Sequence, residues 1–242
     1  MIVYLFDSAC PFPELTFAVP FLKADIGILI SASHNDKRYN GYKLVSSTGA
    51  QFNISERNYI YERFIKTAST KEIRLMEFQS VKRGQLIFLG GDKYISGENY
   101  YEKRLIDMHQ HHIDHIKNFI MDKPMLKEWA KEVDAGYSAF YGAGRKAVPH
   151  LLKDFGFTNL RVIHSLNELD GMFPCFALEQ QPDPGDPLAA EIAVNEFKKE
   201  YGEKVFRDLD ILNGTDPDSD RIGLVIKIPE NQQSQRFSLL PQ

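Results

Sequence analysis

Apolar residues along this chain gather in short runs, separated by polar, proline-rich and glycine-rich breaks, with amphipathic stretches between them. Ile2 to Phe6 reads as a strand, and Glu14 to Lys23 has helical spacing with Pro20 as a kink or early end. Ile26 to Ile30 is an uninterrupted apolar run and reads as a buried strand, followed after a polar loop by a second strand at Gly41 to Val45. Ile54 to Phe64 predicts an amphipathic helix. Gln85 to Leu89 predicts a strand closed by Gly90-Gly91. Glu98 to Met121 predicts a long helix, and Asp122-Lys123-Pro124 interrupts it as a candidate domain boundary.

The second half repeats the alternation. Tyr137 to Tyr141 reads as a strand, and Gly142-Ala143-Gly144 turns into a helix that runs to Phe155. Leu160 to Ile163 is a strand, residues 182–187 form a turn-rich loop, and Leu188 to Tyr201 is a helix. Leu209 to Leu212 and Ile222 to Ile228 are strands. Strands alternating with helices predict an α/β class with crossover connections. The expected organisation is two α/β domains with mixed sheets flanked by helices: residues 1–122, residues 123–228, and a frayed polar tail at 229–242.

Composition narrows the class without changing that picture. The chain has 242 residues, 43% hydrophobic and 26% charged, as expected of a folded globular protein. A net charge of -4 gives no electrostatic case for nucleic acid. No apolar run approaches the ~20 residues of a membrane span. The first residues lack the pattern of a secretory signal. Cys10 and Cys175 make no framework, so reduced thiols and a cytoplasmic setting are expected.

Two stretches carry candidate chemistry. The first is the loop Ser31-Ala32-Ser33-His34-Asn35-Asp36, which leaves an apolar strand. Ser33 reads as a nucleophile or as a loop serine bonding backbone. In an extended conformation His34 would point away from it, so a simple Ser-His dyad is not expected. Lys37 and Lys43 bring positive charge suited to phosphate, or are solvated lysines. The second stretch holds Asp216, Asp218 and Asp220, spaced two apart so that alternate side chains share a side in an extended loop. Carboxylates this close repel unless a cation lies among them, and hard oxygens suit Mg²⁺. An acidic turn is the alternative. A calcium loop of the EF-hand type would need Gly and Glu where Arg221 and Lys227 stand. Gly142-Ala143-Gly144 is either a phosphate cradle or tight strand-to-helix packing, the latter preferred. His109, His111, His112 and His115 read as a wet helix face rather than a metal site. Gly90-Gly91-Asp92 reads as a turn.

Taken together, S-A-S-H-N-D, Y-N-G-Y-K-L, G-A-Q and G-T-D-P-D-S-D-R-I-G, in that order, resemble the α-D-phosphohexomutase family of phosphoglucomutases and phosphomannomutases. F-Y-G-A-G, the stretch at 170–174 and the 182–187 turn resemble its second-domain landmarks. The resemblance implies a phosphoserine at Ser33, with Asp216, Asp218, Asp220 and a phosphoserine oxygen as Mg²⁺ ligands. It further implies Arg221 against the phosphoryl group, and His34 and Lys43 in proton transfer or in holding the loop. Glucose 1,6-bisphosphate is the implied activator, and a hexose phosphate the implied substrate, exchanging between its 1- and 6-phosphates. Asp36 replaces the usual proline, and Tyr141 stands where a histidine often precedes the glycine turn. Family members have four domains, so this chain is expected to hold part of the first and the whole of the second, with weak turnover or none. A non-catalytic module binding sugar phosphate or Mg²⁺, and a hydrolase using the aspartates, are the rival readings. The oligomeric state is left open.

Overall fold

The computed structural model describes residues 1–77, 80–82, 84–90, 105–227 and 237–239. Its chain divides into two compact units. Met1–Ala9, Glu14–Leu29 and Lys43–His115 form the first; Cys10–Pro13, Ile30–Tyr42 and Ile116–Gln242 form the second. The serine loop, residues 30–42, therefore clusters with the second unit although it precedes most of the first in sequence.

In the first unit, β1 (Val3–Phe6), β4 (Leu86–Leu89) and β5 (Leu105–Ile106) form a parallel sheet in the order β1-β4-β5. Helix α1 (Phe12–Phe21) buries Ala18 in a cluster with Leu89 and Met108. Pro20 does not break it, because it lies in the final turn, where the helix is ending. Lys23, at φ 55°, then closes the end, with the Ala24 N–H donating to the Val19 carbonyl.

Strand β2 (Ile26–Ile30) pairs with β3 (Tyr42–Ser46) in a two-stranded sheet. The expectation of a fully buried strand is corrected here: Gly27 is buried, while Ile26, Ile28 and Ile30 are exposed. With side chains alternating across a strand, a continuous apolar run still presents two faces, and only one is packed. Asn53 begins α2 (Ile54–Ile60) with a reciprocal capping box to Glu56, and the chain continues as one π-helical turn at Tyr61–Ile65.

The predicted helix from Glu98 to Met121 is also corrected. Residues 98–104 lie outside the described residues, as do Gly91 and Asp92 of the predicted turn. Leu105 and Ile106 are a strand beside Phe88 and Leu89. The Asp107 carboxylate then accepts from the Gln110 N–H, so α3 (Met108–Ile116) starts only at Met108. Of the α3 histidines, His111 and His115 are exposed, as on a wet face, while His109 and His112 are half-buried; His111 lies beside the Phe21 ring, and His112 and His115 beside Phe17.

In the second unit, Asp122 caps a helix that the sequence reading missed, α4 (Lys123–Trp129). A five-stranded sheet follows in the order β10-β9-β8-β6-β7. Its strands are β6 (Ala135–Ser138), β7 (Leu160–Val162), β8 (Ile211–Thr215), β9 (Ile222–Lys227) and β10 (Phe237–Leu239). β6 runs parallel to β7 and β8, and the β8-β9 and β9-β10 pairs are antiparallel. β10 lies in the segment predicted as a frayed tail; its backbone pairs with β9 and forms the edge of the sheet. The helices are α5 (Gly144–Asp154), α6 (Pro187–Tyr201) and the short α7 (Glu203–Asp208). Ala189, Ala193 and Phe197 of α6 pack with Phe140, Phe206, Leu212 and Val225 as the core. Central β6 is buried along its whole length, as a strand paired on both edges and covered on both faces should be.

Candidate active site and metal centre

The second unit brings two loops together. Ser31–Asn40 follows β2, and residues 216–221 connect antiparallel β8 to β9. Ser33 sits at φ 54°, a left-handed conformation that a non-glycine residue holds only when its surroundings fix it. Its N–H donates to the Ser31 hydroxyl at 2.8 Å, and its own hydroxyl donates to Asp216 Oδ2 at 2.6 Å. The Ser31 hydroxyl in turn donates to Asp218 Oδ2 at 2.8 Å. Two serines of one loop thus dock on two aspartates of the other.

The expectation for His34 is overturned as well. In an extended chain its ring would point away; here His34 Nδ1 lies 3.4 Å from Ser33 Oγ.

The aspartate loop is braced from within. Asp216 Oδ1 accepts the N–H groups of Asp220 and Arg221 at 3.1 and 2.9 Å, and the Ser219 N–H donates to the Asp216 carbonyl. The Asp218 carbonyl accepts the Phe12 N–H at 2.7 Å. Asp216 and Asp218 are buried and Asp220 is exposed, and a carboxylate oxygen from each lies within 4.8 Å of the others. Burial pushes the Asp216 carboxyl up to about 7; the Ser33 hydroxyl bond opposes this and the Asp218 charge adds to it. Three converging hard oxygens, two of them buried at a cost in their charged form, fit a divalent cation, which would reverse that cost. Among the described residues this is the one group of acids, histidines or cysteines with such spacing.

Arg221 is held beside the loop by Asp183 of the 182–187 turn: its Nη1 donates to Asp183 Oδ2 at 2.8 Å. Lys43 is half-buried on β3 and belongs to the first unit. Asp36 does more than occupy a proline's place. Arg38 donates to it through Nε at 2.9 Å and Nη2 at 2.7 Å, which holds its carboxyl down at about 2, and Arg38 Nη1 reaches Glu179 at 3.0 Å. The sequence reading gave no role to Ser31 or Asp183. For Ser31, the repeat of serine two residues before Ser33 was a usable signal. For Asp183 the 182–187 turn was itself a landmark, but its pairing with Arg221 comes from the fold.

Residues 1–71 match the family described as phosphoglucomutase/phosphomannomutase, alpha/beta/alpha domain I, and residues 110–228 match its alpha/beta/alpha domain II. The chain belongs to the phosphoglucomutase/phosphomannomutase family. Relatives in that family include a phosphoglucomutase of Staphylococcus aureus (strain MRSA252), 29% identical over 224 residues and 93% of this chain. A Staphylococcus haemolyticus (strain JCSC1435) phosphoglucomutase is 26% identical over 227 residues. This family member spans 35% of the length of each. The fold is shared with the provisionally named phosphomannomutase of Thermus Thermophilus. That match has a TM-score of 0.64 and 23% identity over 93% of this chain and 42% of that one. It is also shared with Paramecium parafusin, a phosphoglucomutase, with a TM-score of 0.61 and 16% identity over 93% of this chain and 40% of that one. No helix among the described residues is long and apolar enough to cross a membrane.

Proposed function

We propose that this chain carries the phosphoserine and metal-binding part of a phosphohexomutase, with Ser33 as the phosphoryl carrier. The observation behind the reading is the 2.6 Å contact from the Ser33 hydroxyl to Asp216, inside a trio of converging carboxylates. Asp216, Asp218, Asp220 and an oxygen on Ser33 are the residues that would hold Mg²⁺, which supplies charge neutralisation on phosphoryl oxygens.

Phospho-Ser33 donates to a free hydroxyl of a hexose monophosphate. The Ser33 Oγ–P bond breaks as the sugar O–P bond forms, and the sugar hydroxyl proton passes to His34 Nδ1. The resulting bisphosphate, presented the other way round, returns its second phosphoryl group to Ser33. The Ser33 Oγ–P bond re-forms, the sugar O–P bond breaks, and the freed sugar oxygen takes the proton held at His34 Nδ1. Arg221, steadied by Asp183, braces the phosphoryl oxygens. Lys43 is assigned to loop support on the family resemblance alone. Phosphoryl transfer depends on positioning and charge stabilisation more than on covalent assistance, which suits a serine whose nearest partners are acids.

The chain spans 35% of the length of these relatives, and the activity proposed for it is phosphoryl exchange at Ser33. Incubation with glucose 1,6-bisphosphate and Mg²⁺ should add the mass of one phosphoryl group, and Ser33→Ala should lose the gain. Sugar-phosphate binding with no gain in the unmodified chain would overturn the reading and favour a binding module. Label on an aspartate would favour a hydrolase.

A further inference from the structure

The glycine turn Gly142-Ala143-Gly144 and the buried Tyr137 hydroxyl have no place in the chemistry above, yet both converge on the underside of the aspartate loop. Tyr137 is the third residue of β6, fully buried, and in register with Asn213 of β8. Its hydroxyl shares a 2.8 Å hydrogen bond with Thr215 Oγ1, the last side chain before Asp216. Ser219, at the far side of the loop, donates to the same Thr215 oxygen at 3.5 Å. Three hydroxyls from β6, β8 and the loop therefore meet at one buried point. Burial pushes the Tyr137 phenol up, so it stays neutral and serves as a hydrogen-bonding group.

The glycine turn makes room for this meeting. A Cβ on Gly144 would run into Tyr137 Oη, Ser219 Oγ and Thr215 Oγ1, and one on Gly142 would strike the backbone of Pro217. Between them, the Ala143 N–H donates to the Pro217 carbonyl at 2.7 Å. Two glycines and one N–H thus form a mould into which the loop backbone at 215–219 fits. The sequence reading preferred strand-to-helix packing for this turn over phosphate binding; what it packs against is the loop.

We infer that Tyr137 is a positioning residue for the aspartate trio. Through Thr215 its hydroxyl fixes the β8 end from which Asp216 emerges, and so sets how well the three carboxylates converge. The inference rests on the proposed Mg²⁺ role of Asp216, Asp218 and Asp220, and it deepens that reading by naming what holds the trio in place.

Two readouts on the full chain test it. The first is Mn²⁺ affinity, followed by electron paramagnetic resonance. Tyr137→Phe keeps the ring and removes only the hydroxyl, and should weaken Mn²⁺ binding about three- to tenfold, the span of one hydrogen bond. Thr215→Val should do the same, Thr215→Ser should restore tight binding, and the double variant should lose no more than either single one. The second readout needs no metal. The Asp220 and Arg221 amides, bonded to Asp216 Oδ1, should exchange hydrogen faster in Tyr137→Phe, relative to the amides shared by β6 and β7. A purely structural hydroxyl would speed both sets alike. Unchanged Mn²⁺ affinity in Tyr137→Phe, or exchange that rises equally in loop and sheet, would overturn the inference. If the unmodified chain binds no Mn²⁺, the mutase reading falls, and the exchange ratio alone decides the positioning role.

Discussion

Glu14 presents an unusual demand for its first unit: a carboxylate only 1% exposed. Its partner is His109, whose Nδ1 lies 2.7 Å from each carboxylate oxygen. The Glu14 bond raises the His109 pKa; burial opposes the rise, and the charges of Asp7 and Asp107 add to it. His112 faces the same region but is pushed down to about 4, first by burial and then by His115 and His109. A histidine whose folded pKa is raised contributes stability that is complete below its unfolded value, about 6.5, and is lost as pH climbs through the raised value.

His109→Asn isolates that charge, because its amide nitrogen takes the place of Nδ1, the atom facing Glu14, and donates a hydrogen bond but never ionises. A charged hydrogen bond contributes about 1.5–3 kcal/mol and a neutral one about 0.5–1.5, so the variant should be about 1–2 kcal/mol less stable at low pH. The deficit should shrink toward zero at alkaline pH, where the wild-type imidazole is neutral too. Urea unfolding followed by circular dichroism, at about pH 6 and again two to three units higher, measures it. Working at or above about pH 6 keeps His112 largely neutral in both proteins. A deficit of the same size at both pH values would show that the imidazole acts by shape alone.

Other perturbations test the second unit. Saturating Mg²⁺ at about 100 times its dissociation constant should stabilise the chain by about 2.7 kcal/mol, and Asp218→Asn should abolish most of this; an equal melting shift in that variant would remove the aspartates from the metal site. Gly223→Ala places a methyl against the Pro184 carbonyl, which must displace the turn carrying Asp183. A loss of about 1–3 kcal/mol is expected, with Arg221 released from Asp183; an unchanged melting temperature would contradict the close approach. Phe197→Ala empties a fully buried position in the core and should cost about 3–5 kcal/mol by urea titration.

The local elements were legible where one face of a regular period is buried. The alternation of strands and helices gave the α/β class, and the helices predicted near residues 54 and 188 begin behind Asn53 and Asp186, whose side chains cap them. The motif residues Ser33, Asp216, Asp218 and Asp220 could be named without coordinates, because like charges at a spacing of two and a serine at a strand end are properties of the chain itself. Boundaries failed where a neighbour decided them. Leu105 and Ile106 are strand because β4 lies alongside, and Phe237–Leu239 pair because β9 offers an open edge.

What the sequence could not contain was distance. Ser33 and Asp216 are 183 positions apart and 2.6 Å apart in space, and no local rule relates them. The approach of His34 to Ser33 departs from an extended chain, and the docking of Ser31 and Ser33 on the aspartates accompanies it. The same holds for Tyr137 under Thr215 and Asp183 beside Arg221. Side-chain type fixes which chemistry a residue can offer, but the non-local pairing of buried polar groups, each requiring a partner once removed from water, decides where that chemistry is assembled.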